Sequence, residues 1–161
     1  MIELSTKLSE ILKERGLTIS TAESCTGGLV AKTITDISGV SEVYYGSVVS
    51  YDNSVKENVL GVKKETLDTV GAVSAETASQ MAMGVKACLK TDIGISTTGI
   101  AGPGGATPGK PVGTVYIGIA FGDNVYTELL PIPSNLSRDE IRNLATKLLL
   151  EATIEKILEN Y

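Results

Sequence analysis

Histidine is absent from this chain of 161 residues. Within one chain, its absence excludes Ser/His/Asp and Cys/His nucleophilic systems and every zinc site that has a histidine ligand. Any catalysis must therefore use lysine, tyrosine, serine, threonine, cysteine or a carboxylate side chain.

Cysteine is scarce as well, because Cys25 and Cys88 are the only two. Two cysteines are too few for a disulfide framework, and no CxxC motif occurs, which suits a reducing compartment. Cys88 falls in the apolar stripe of a predicted helix, so we expect its side chain to be buried.

Long apolar runs are missing too. None approaches the roughly 18 residues that a membrane span needs. Charged residues interrupt residues 1–16, which excludes a secretory signal there. The sequence therefore predicts a soluble cytoplasmic protein without membrane contact.

The sequence also lacks an excess of positive charge. The chain has 14 Lys+Arg against 19 Asp+Glu, a net charge of -5, and lacks the basic surface with which proteins bind nucleic acid. With 42% hydrophobic and 20% charged residues, it has enough apolar material for a folded core. The length, without an internal repeat or a break in composition, predicts one domain over residues 1–161.

Helical and strand-like periodicities alternate along the chain. We predict strands over 17–22, 43–51, 92–98, 115–121 and 125–130, and helices over 1–15, 29–37, 52–61 and 63–70, after Ser74 and after Ser137. A turn at residues 122–124 makes the last two strands a hairpin, and Ser137 with Glu140 forms a capping box. This order predicts an α/β fold, a single layered α/β/α domain with a mixed, partly parallel sheet flanked by helices.

The turn over residues 21–28, TAESCTGG, is the most informative segment, because a hydroxyl and a thiol lie together at a helix start. Helix starts leave N–H groups unpaired, which suits an oxyanion or an anionic substrate group. Gly27 and Gly28 would let a ligand approach the backbone. Alternatively, Ser24 or Thr26 only caps the helix, and the glycines only permit the turn.

Ser24 is a nucleophile only if a base removes its proton. Without histidine, that base would be a lysine whose pKa is lowered by burial. No SxxK motif occurs, and Lys56 is the best candidate, because Val55, Val59 and Leu60 could bury its stem. The alternative is an ordinary solvated lysine.

Cys25 beside Glu23 offers a second route, because Cys, Glu and Lys together can also build an amidase without histidine. The alternative for Cys25 is a small buried side chain.

Two further segments are candidates for binding an anion. The loop over residues 99–105 follows a strand, as phosphate-binding loops do, but it matches neither GxGxxG nor GxxxxGK[ST], so it could be a plain connector. Arg138 and Arg142 lie one turn apart at the start of the last helix, where the helix dipole disfavours cations. They could hold a phosphate together, or pair with Asp139 and other acids.

Five segments together resemble the CinA C-terminal domain family, the nicotinamide-nucleotide amidases. The match runs over nearly the whole chain, and AESCTGG, TGIAGPGG and KPVGTV are specific in combination. The segments are TAESCTGGLVAKTITDISGVS, VVSYDNSVKENVLGV, GAVSAETASQMAMG, STTGIAGPGGATPGKPVGTVYIGIA and SRDEIRNLAT.

The resemblance implies a serine–lysine amidohydrolase that deamidates nicotinamide mononucleotide to nicotinic acid mononucleotide and ammonia in pyridine-nucleotide salvage. Carried over by motif, Ser24 is the nucleophile, Lys56 the base and Arg142 the arginine that holds the phosphate with the 99–105 loop. N–H groups at the start of the following helix would stabilise the oxyanion. The expected substrate-binding residues are Tyr51, Thr26, Gly27, Gly28, Thr98, Gly99, Gly102 and Arg142.

Many family members carry a larger domain ahead of this one, and the chain resembles the stand-alone form. We therefore expect no second, metal-dependent activity, no metal and no cofactor. A small nucleotide is the expected partner, and self-association into a homo-oligomer stays open. Two alternatives stay open as well, namely a Cys25-based amidase acting on a related amide and a nucleotide-binding module without catalysis.

Overall fold

The computed structural model describes residues 1–161, whose centre is one mixed sheet. Its strands are β1 (Ile19–Glu23), β2 (Tyr44–Val49), β3 (Ile93–Gly99), β4 (Val115–Phe121) and β5 (Asn124–Leu129). They lie in the order β2-β1-β3-β4-β5. β1 runs parallel to β2 and β3, whereas β4 runs antiparallel to β3 and β5. The sheet is therefore mixed and partly parallel, as predicted.

Helices cover both faces of this sheet. They are α1 (Ile2–Arg15), α2 (Leu29–Thr35), α3 (Asn53–Asn58), α4 (Lys64–Thr69), α5 (Ala75–Leu89) and α6 (Arg138–Asn160), with a short 3-10 turn at Val40–Glu42. On one face α1, α2 and α6 contact each other over the larger apolar core. On the other face α5 crosses β1, β3, β4 and β5. The layered α/β/α arrangement predicted from the element order is confirmed.

β1 is central, and all five of its residues are buried. Its hydroxyl side chains therefore need partners inside the protein. Ser20 Oγ lies 2.7 Å from Thr91 Oγ1 on the α5 side, and Thr21 Oγ1 lies 2.9 Å from Tyr44 Oη on the other side. The alternation of apolar and hydroxyl residues marks two buried faces here, and neither face is open to solvent.

Local signals place most helix ends correctly. Gly16 closes α1 in the left-handed conformation. The Ser74 side chain caps α5, and Ser137 with Glu140 forms the predicted capping box at the start of α6. Hydrogen bonds within that box lower the pKa of Glu140. The caps are thus set by short-range sequence, as expected.

The prediction for Cys88 is wrong, because its side chain is exposed. The inward stripe of α5 runs through Ala78, Ala82 and Val85. The next inward position is Leu89, and Cys88 points about 100° away from it round the helix.

The parallel strands determine where a site can form. β1, β2 and β3 are neighbours that run in the same direction, so the loops that follow them meet at one edge of the sheet. Residues 24–28, 50–56 and 99–105 therefore come together, although they are far apart in sequence. No helix has the length and apolar character to cross a membrane.

Candidate active site

A cleft of about 290 Å³ opens at this edge of the sheet. Loops after β1, β2 and β3 form most of its wall, and the segment before α5 and the start of α6 complete it. Only two of its lining residues, Lys56 and Arg138, are of the Lys/Arg/Asp/Glu type, and both are basic. The lining residues are Ser24, Cys25, Tyr51, Asn53, Lys56, Ala72, Val73, Thr98, Gly99, Ile100, Ala101, Gly102, Gly104, Gly105 and Arg138.

Ser24 and Lys56 lie in contact in this cleft. Ser24 follows β1 directly, and its N–H donates to Thr97 O at 3.0 Å. Lys56 lies on α3, whose start is capped by the Asp52 side chain. The Lys56 Nζ atom is 2.9 Å from Ser24 Oγ. The two residues that the motifs nominate as nucleophile and base are therefore within hydrogen-bond distance.

Lys56 is a buried lysine, with only 1% of its surface exposed. Its Nζ lies 2.6 Å from Ser50 O and 3.4 Å from Tyr51 O, and no acidic side chain pairs with it. Burial disfavours the charged ammonium, so the pKa of Lys56 is lowered; the negative charge of Asp52, and that of Cys25 were it ionised, would oppose this effect. Such a lysine is suited to accept a proton.

Burial acts in the opposite sense on the neighbouring thiol. Cys25 lines the cleft but is buried, and burial raises its pKa to about 12. The thiolate, not the thiol, is the nucleophile. The Cys25 side chain is thus held in its unreactive form, which disfavours the cysteine route.

Glu23, the acid that this cysteine route would use, is engaged elsewhere. Its carboxylate accepts N–H bonds from Gly28 at 3.0 Å, Val30 at 3.0 Å and Ala31 at 2.8 Å. It also accepts the Thr26 hydroxyl at 2.7 Å. Glu23 therefore caps the start of α2 from the end of β1.

This cap changes two expectations for the turn. Neither Ser24 nor Thr26 caps α2, because its N-cap is Gly28 and no N-cap side chain bonds to it. The N–H groups expected to stabilise an oxyanion at the helix start are occupied by Glu23. Within the turn itself, the N–H groups of Cys25 and Thr26 donate to no other residue, so they are the available donors beside Ser24.

The two arginines of the last helix have different surroundings. Arg138 lines the cleft, where its guanidinium donates to Gly102 O at 2.8 Å and to Tyr51 Oη at 3.0 Å. Arg142 lies outside the lining and donates through Nη2 to Thr26 O at 2.8 Å, while its buried Nε has no partner. Neither arginine pairs with an acid, so the ion-pair alternative does not hold.

The 99–105 loop is held by backbone hydrogen bonds near its beginning, whereas several N–H groups near its tip have no acceptor. Ile100 bonds through its N–H to Thr114 O and through its carbonyl to the Gly113 N–H. The N–H groups of Ala101, Gly102, Gly104 and Gly105 have no acceptor in the protein and border the cleft. At Gly102 a side chain is excluded, because φ is +72° and a Cβ would lie 2.6 Å from Val112 Cγ1.

The structure brings together six of the ten predicted site residues, namely Ser24, Lys56, Tyr51, Thr98, Gly99 and Gly102. The other four, Thr26, Gly27, Gly28 and Arg142, lie outside the lining, and their binding role stays a prediction. Ala72 and Val73 escaped sequence reasoning, because only the tertiary fold brings them to the cleft; the Thr98 hydroxyl bonds to Ala72 O at 2.6 Å.

Comparison with known proteins places the chain in a family. The CinA C-terminal domain model matches residues 1–157. A competence-damage inducible protein of Caldanaerobacter subterraneus is 54% identical over 140 residues, covering 87% of this chain and 34% of that protein. The chain belongs to the CinA C-terminal domain family and spans about a third of the length of the curated relatives it matches.

Solved structures of the family have the same fold. The competence/damage inducible protein CihA from Agrobacterium tumefaciens superposes with a TM-score of 0.91 at 41% identity, covering 95% of this chain and 93% of that one. The competence damage-inducible protein A from Klebsiella pneumoniae has a TM-score of 0.94 at 32% identity, covering 99% and 98%.

Proposed function

We propose that the chain is an amidohydrolase that uses Ser24 and Lys56 to convert nicotinamide mononucleotide to nicotinic acid mononucleotide and ammonia. The observation that carries the proposal is the 2.9 Å contact between the hydroxyl of Ser24 and the amine of Lys56, a buried lysine that has no acidic side chain as its partner. Membership of a family whose nucleotide-amidase members the motifs resemble supports the choice of substrate.

The surroundings of Nζ suit a neutral amine. A neutral lysine has two N–H groups and one lone pair. The carbonyls of Ser50 and Tyr51 can accept the two N–H groups, which leaves the lone pair to accept the Ser24 hydroxyl. In this state Lys56 is a general base for Ser24.

The reaction then proceeds through an acyl-enzyme. Ser24 Oγ attacks the carboxamide carbon as Lys56 takes the hydroxyl proton. Lys56 returns that proton to the nitrogen, the C–N bond breaks, and ammonia leaves. Water attacks the resulting ester, Lys56 takes a proton from the water, and the Ser24 hydroxyl is regenerated with release of the acid.

Backbone donors are available for the charge that develops on the carboxamide oxygen. The N–H groups of Cys25 and Thr26 follow the nucleophile directly and donate to no other residue. We assign the oxyanion to them, because the donors at the start of α2 already bond to Glu23.

The cleft also offers a place for the phosphate. Arg138 lines the cleft without an acid partner, and free N–H groups of the 99–105 loop border it. A guanidinium beside backbone N–H groups suits a phosphate, which accepts strong charge-assisted bonds. We therefore assign the phosphate to Arg138 and this loop, while Arg142 supports the nucleophile turn through Thr26 O.

An ammonia-release assay tests the function. Purified protein is given nicotinamide mononucleotide, nicotinamide riboside or nicotinamide, and the acid product is identified by mass. We expect turnover of the mononucleotide above the other two, and none with Ser24→Ala. Nucleotide binding without ammonia release would contradict the proposal and favour a binding module.

A further inference from the structure

Glu23 is the one fully buried carboxylate beside the reacting residues, and the proposed reaction does not use it. None of its surface is exposed, and no lysine or arginine pairs with it. Its oxygens instead accept the Thr26 hydroxyl and three N–H groups of the α2 start, with a longer contact of 3.4 Å from Ser47 Oγ. A buried carboxylate needs such donors, because losing them leaves a desolvated charge.

These bonds define a hydrogen-bonded chain with a fixed direction. The Thr26 hydroxyl has a single hydrogen and donates it to Glu23 Oε2 at 2.7 Å. Its 2.7 Å contact with Thr97 Oγ1 must then have Thr97 as the donor.

Thr97 holds the turn at both ends. Its carbonyl accepts the Ser24 N–H at 3.0 Å, and its hydroxyl donates to Thr26 two residues further on. Both contacts come from β3, which lies beside β1 in the sheet. The segment that carries the nucleophile is thereby tied to a central strand and to the start of α2.

We propose that Glu23, Thr26 and Thr97 are positioning residues that hold Ser24 Oγ against Lys56 Nζ; this inference rests on the proposed function. None of the three residues is among those that line the cleft, so their side chains act on the reaction through the turn that carries Ser24. A displacement of about 1 Å at a reacting group can cost about 100-fold in rate. Loss of this network should therefore lower kcat and leave KM nearly unchanged.

Three variants at two positions test the network. Glu23→Gln puts an NH₂ group where an oxygen accepts N–H donors, so we expect it to be the most damaging. Thr97→Val keeps the side-chain shape and the backbone carbonyl of residue 97 and removes only the hydroxyl. This variant therefore still tests the network if Glu23→Gln does not fold. We expect Thr97→Val to lower kcat on nicotinamide mononucleotide by about ten- to 100-fold with KM within about threefold, and Thr97→Ser to restore most of it.

Thr153→Val is the matched control. Thr153 is also fully buried, and its hydroxyl bonds to Leu149 O at 2.7 Å in α6, far along the helix from Arg142. It should lose a similar amount of thermal stability with no change in kcat. Equal kcat in Thr97→Val and the native chain, or an equal kcat loss in Thr153→Val, would overturn the positioning role.

Amide hydrogen exchange separates this inference from the proposed function. In Thr97→Val we expect faster exchange at the Ser24 and Gly28 amides and unchanged protection in α5. Should the native chain release no ammonia, the proposed function fails, whereas local exchange confined to the turn still supports the network. Exchange that rises equally throughout the sheet would overturn it.

Discussion

At the residue scale, burial favours Ser24 over the adjacent Cys25 as the nucleophile of the cleft. Ser24 has a lysine amine at 2.9 Å, whose pKa is lowered by burial. Cys25 has no such partner, and burial raises its pKa to about 12. Burial therefore favours the hydroxyl, although a thiol is the stronger nucleophile once ionised.

Replacement of each of these two candidate nucleophiles by alanine gives the first prediction. Ser24→Ala should reduce kcat by several orders of magnitude, because removal of a covalent nucleophile usually does so. Cys25→Ala should keep kcat within about tenfold, since only its backbone N–H enters the proposed reaction. Steady-state ammonia release measures both. A larger loss in Cys25→Ala than in Ser24→Ala would restore the cysteine route.

Lys56 gives the second prediction. Lys56→Arg should be nearly as damaging as Lys56→Met, because a guanidinium keeps its proton and cannot act as a base. Lys63→Arg, the same change at an exposed lysine, is the control and should leave kcat/KM unaltered. A substantial rate in Lys56→Arg would show that Lys56 acts only through its charge.

The arginines give the third prediction, which is read as a ratio of two substrates. Arg138→Met should lower kcat/KM for nicotinamide mononucleotide about ten- to 100-fold more than for the riboside, because a charged hydrogen bond is worth about 1.5–3 kcal/mol. Arg142→Met should affect both substrates equally, since it acts through Thr26 O. The opposite pattern would make Arg142 the phosphate ligand, as its motif predicts.

The Ser24–Lys56 pair could be predicted from the sequence, but the contacts of Glu23 could not. Ser24 and Lys56 lie in short motifs, and the absence of histidine left a lysine as the natural base. Glu23 lies in the same motif, yet nothing local shows that its side chain turns back to the N–H groups of residues 28, 30 and 31. That contact depends on the angle between β1 and α2, which only the packed fold determines.

At the scale of elements, α5 is the clearest case of packing that outweighs local preference. Gly84 lies inside this helix, where glycine is normally about 1 kcal/mol worse than alanine. A Cβ at Gly84 would lie 1.9 Å from Leu60 O, in the segment between α3 and α4. The glycine permits α5 to approach the backbone of that segment.

Gly84→Ala is therefore predicted to destabilise the protein. Overpacking typically costs about 1–3 kcal/mol, which exceeds the gain in helix propensity. The free energy of unfolding in urea measures the change. Gly104→Ala, where a Cβ would meet nothing within 4 Å, is the control and should stay within about 0.5 kcal/mol of the native chain. A more stable Gly84→Ala would mean that Leu60 shifts at little cost.

The sequence predicts helix ends correctly where contacts between residues close in sequence determine them. Caps at Ser74 and Ser137 are of this kind, because they involve residues three positions apart. The site as a whole is different, since residues 24, 56 and 99–105 meet only because β1, β2 and β3 are parallel neighbours. An alternating pattern of elements predicts a layered sheet but does not give the order of its strands.

At the scale of the whole molecule, the buried lysine makes stability depend on pH. The unfolded chain keeps the Lys56 proton up to its ordinary pKa near 10.5, whereas the folded chain releases it at a lower pH. Between these two pKa values the unfolded state binds more protons, so stability rises with pH. Lys56 thus destabilises the fold most below its folded-state pKa, and this cost disappears as the pH rises past its ordinary pKa near 10.5.

Lys56→Met removes that cost and supplies the last prediction. The variant should be more stable than its parent at about pH 7, and the difference should shrink as the pH approaches about 10. Both chains should carry Cys25→Ala, because the raised pKa of the buried thiol makes stability fall as pH rises above its ordinary value near 9.0. Urea unfolding at several pH values measures the difference. A difference that stays constant or grows with pH would contradict a lowered lysine pKa, and with it the neutral amine that the proposed reaction requires.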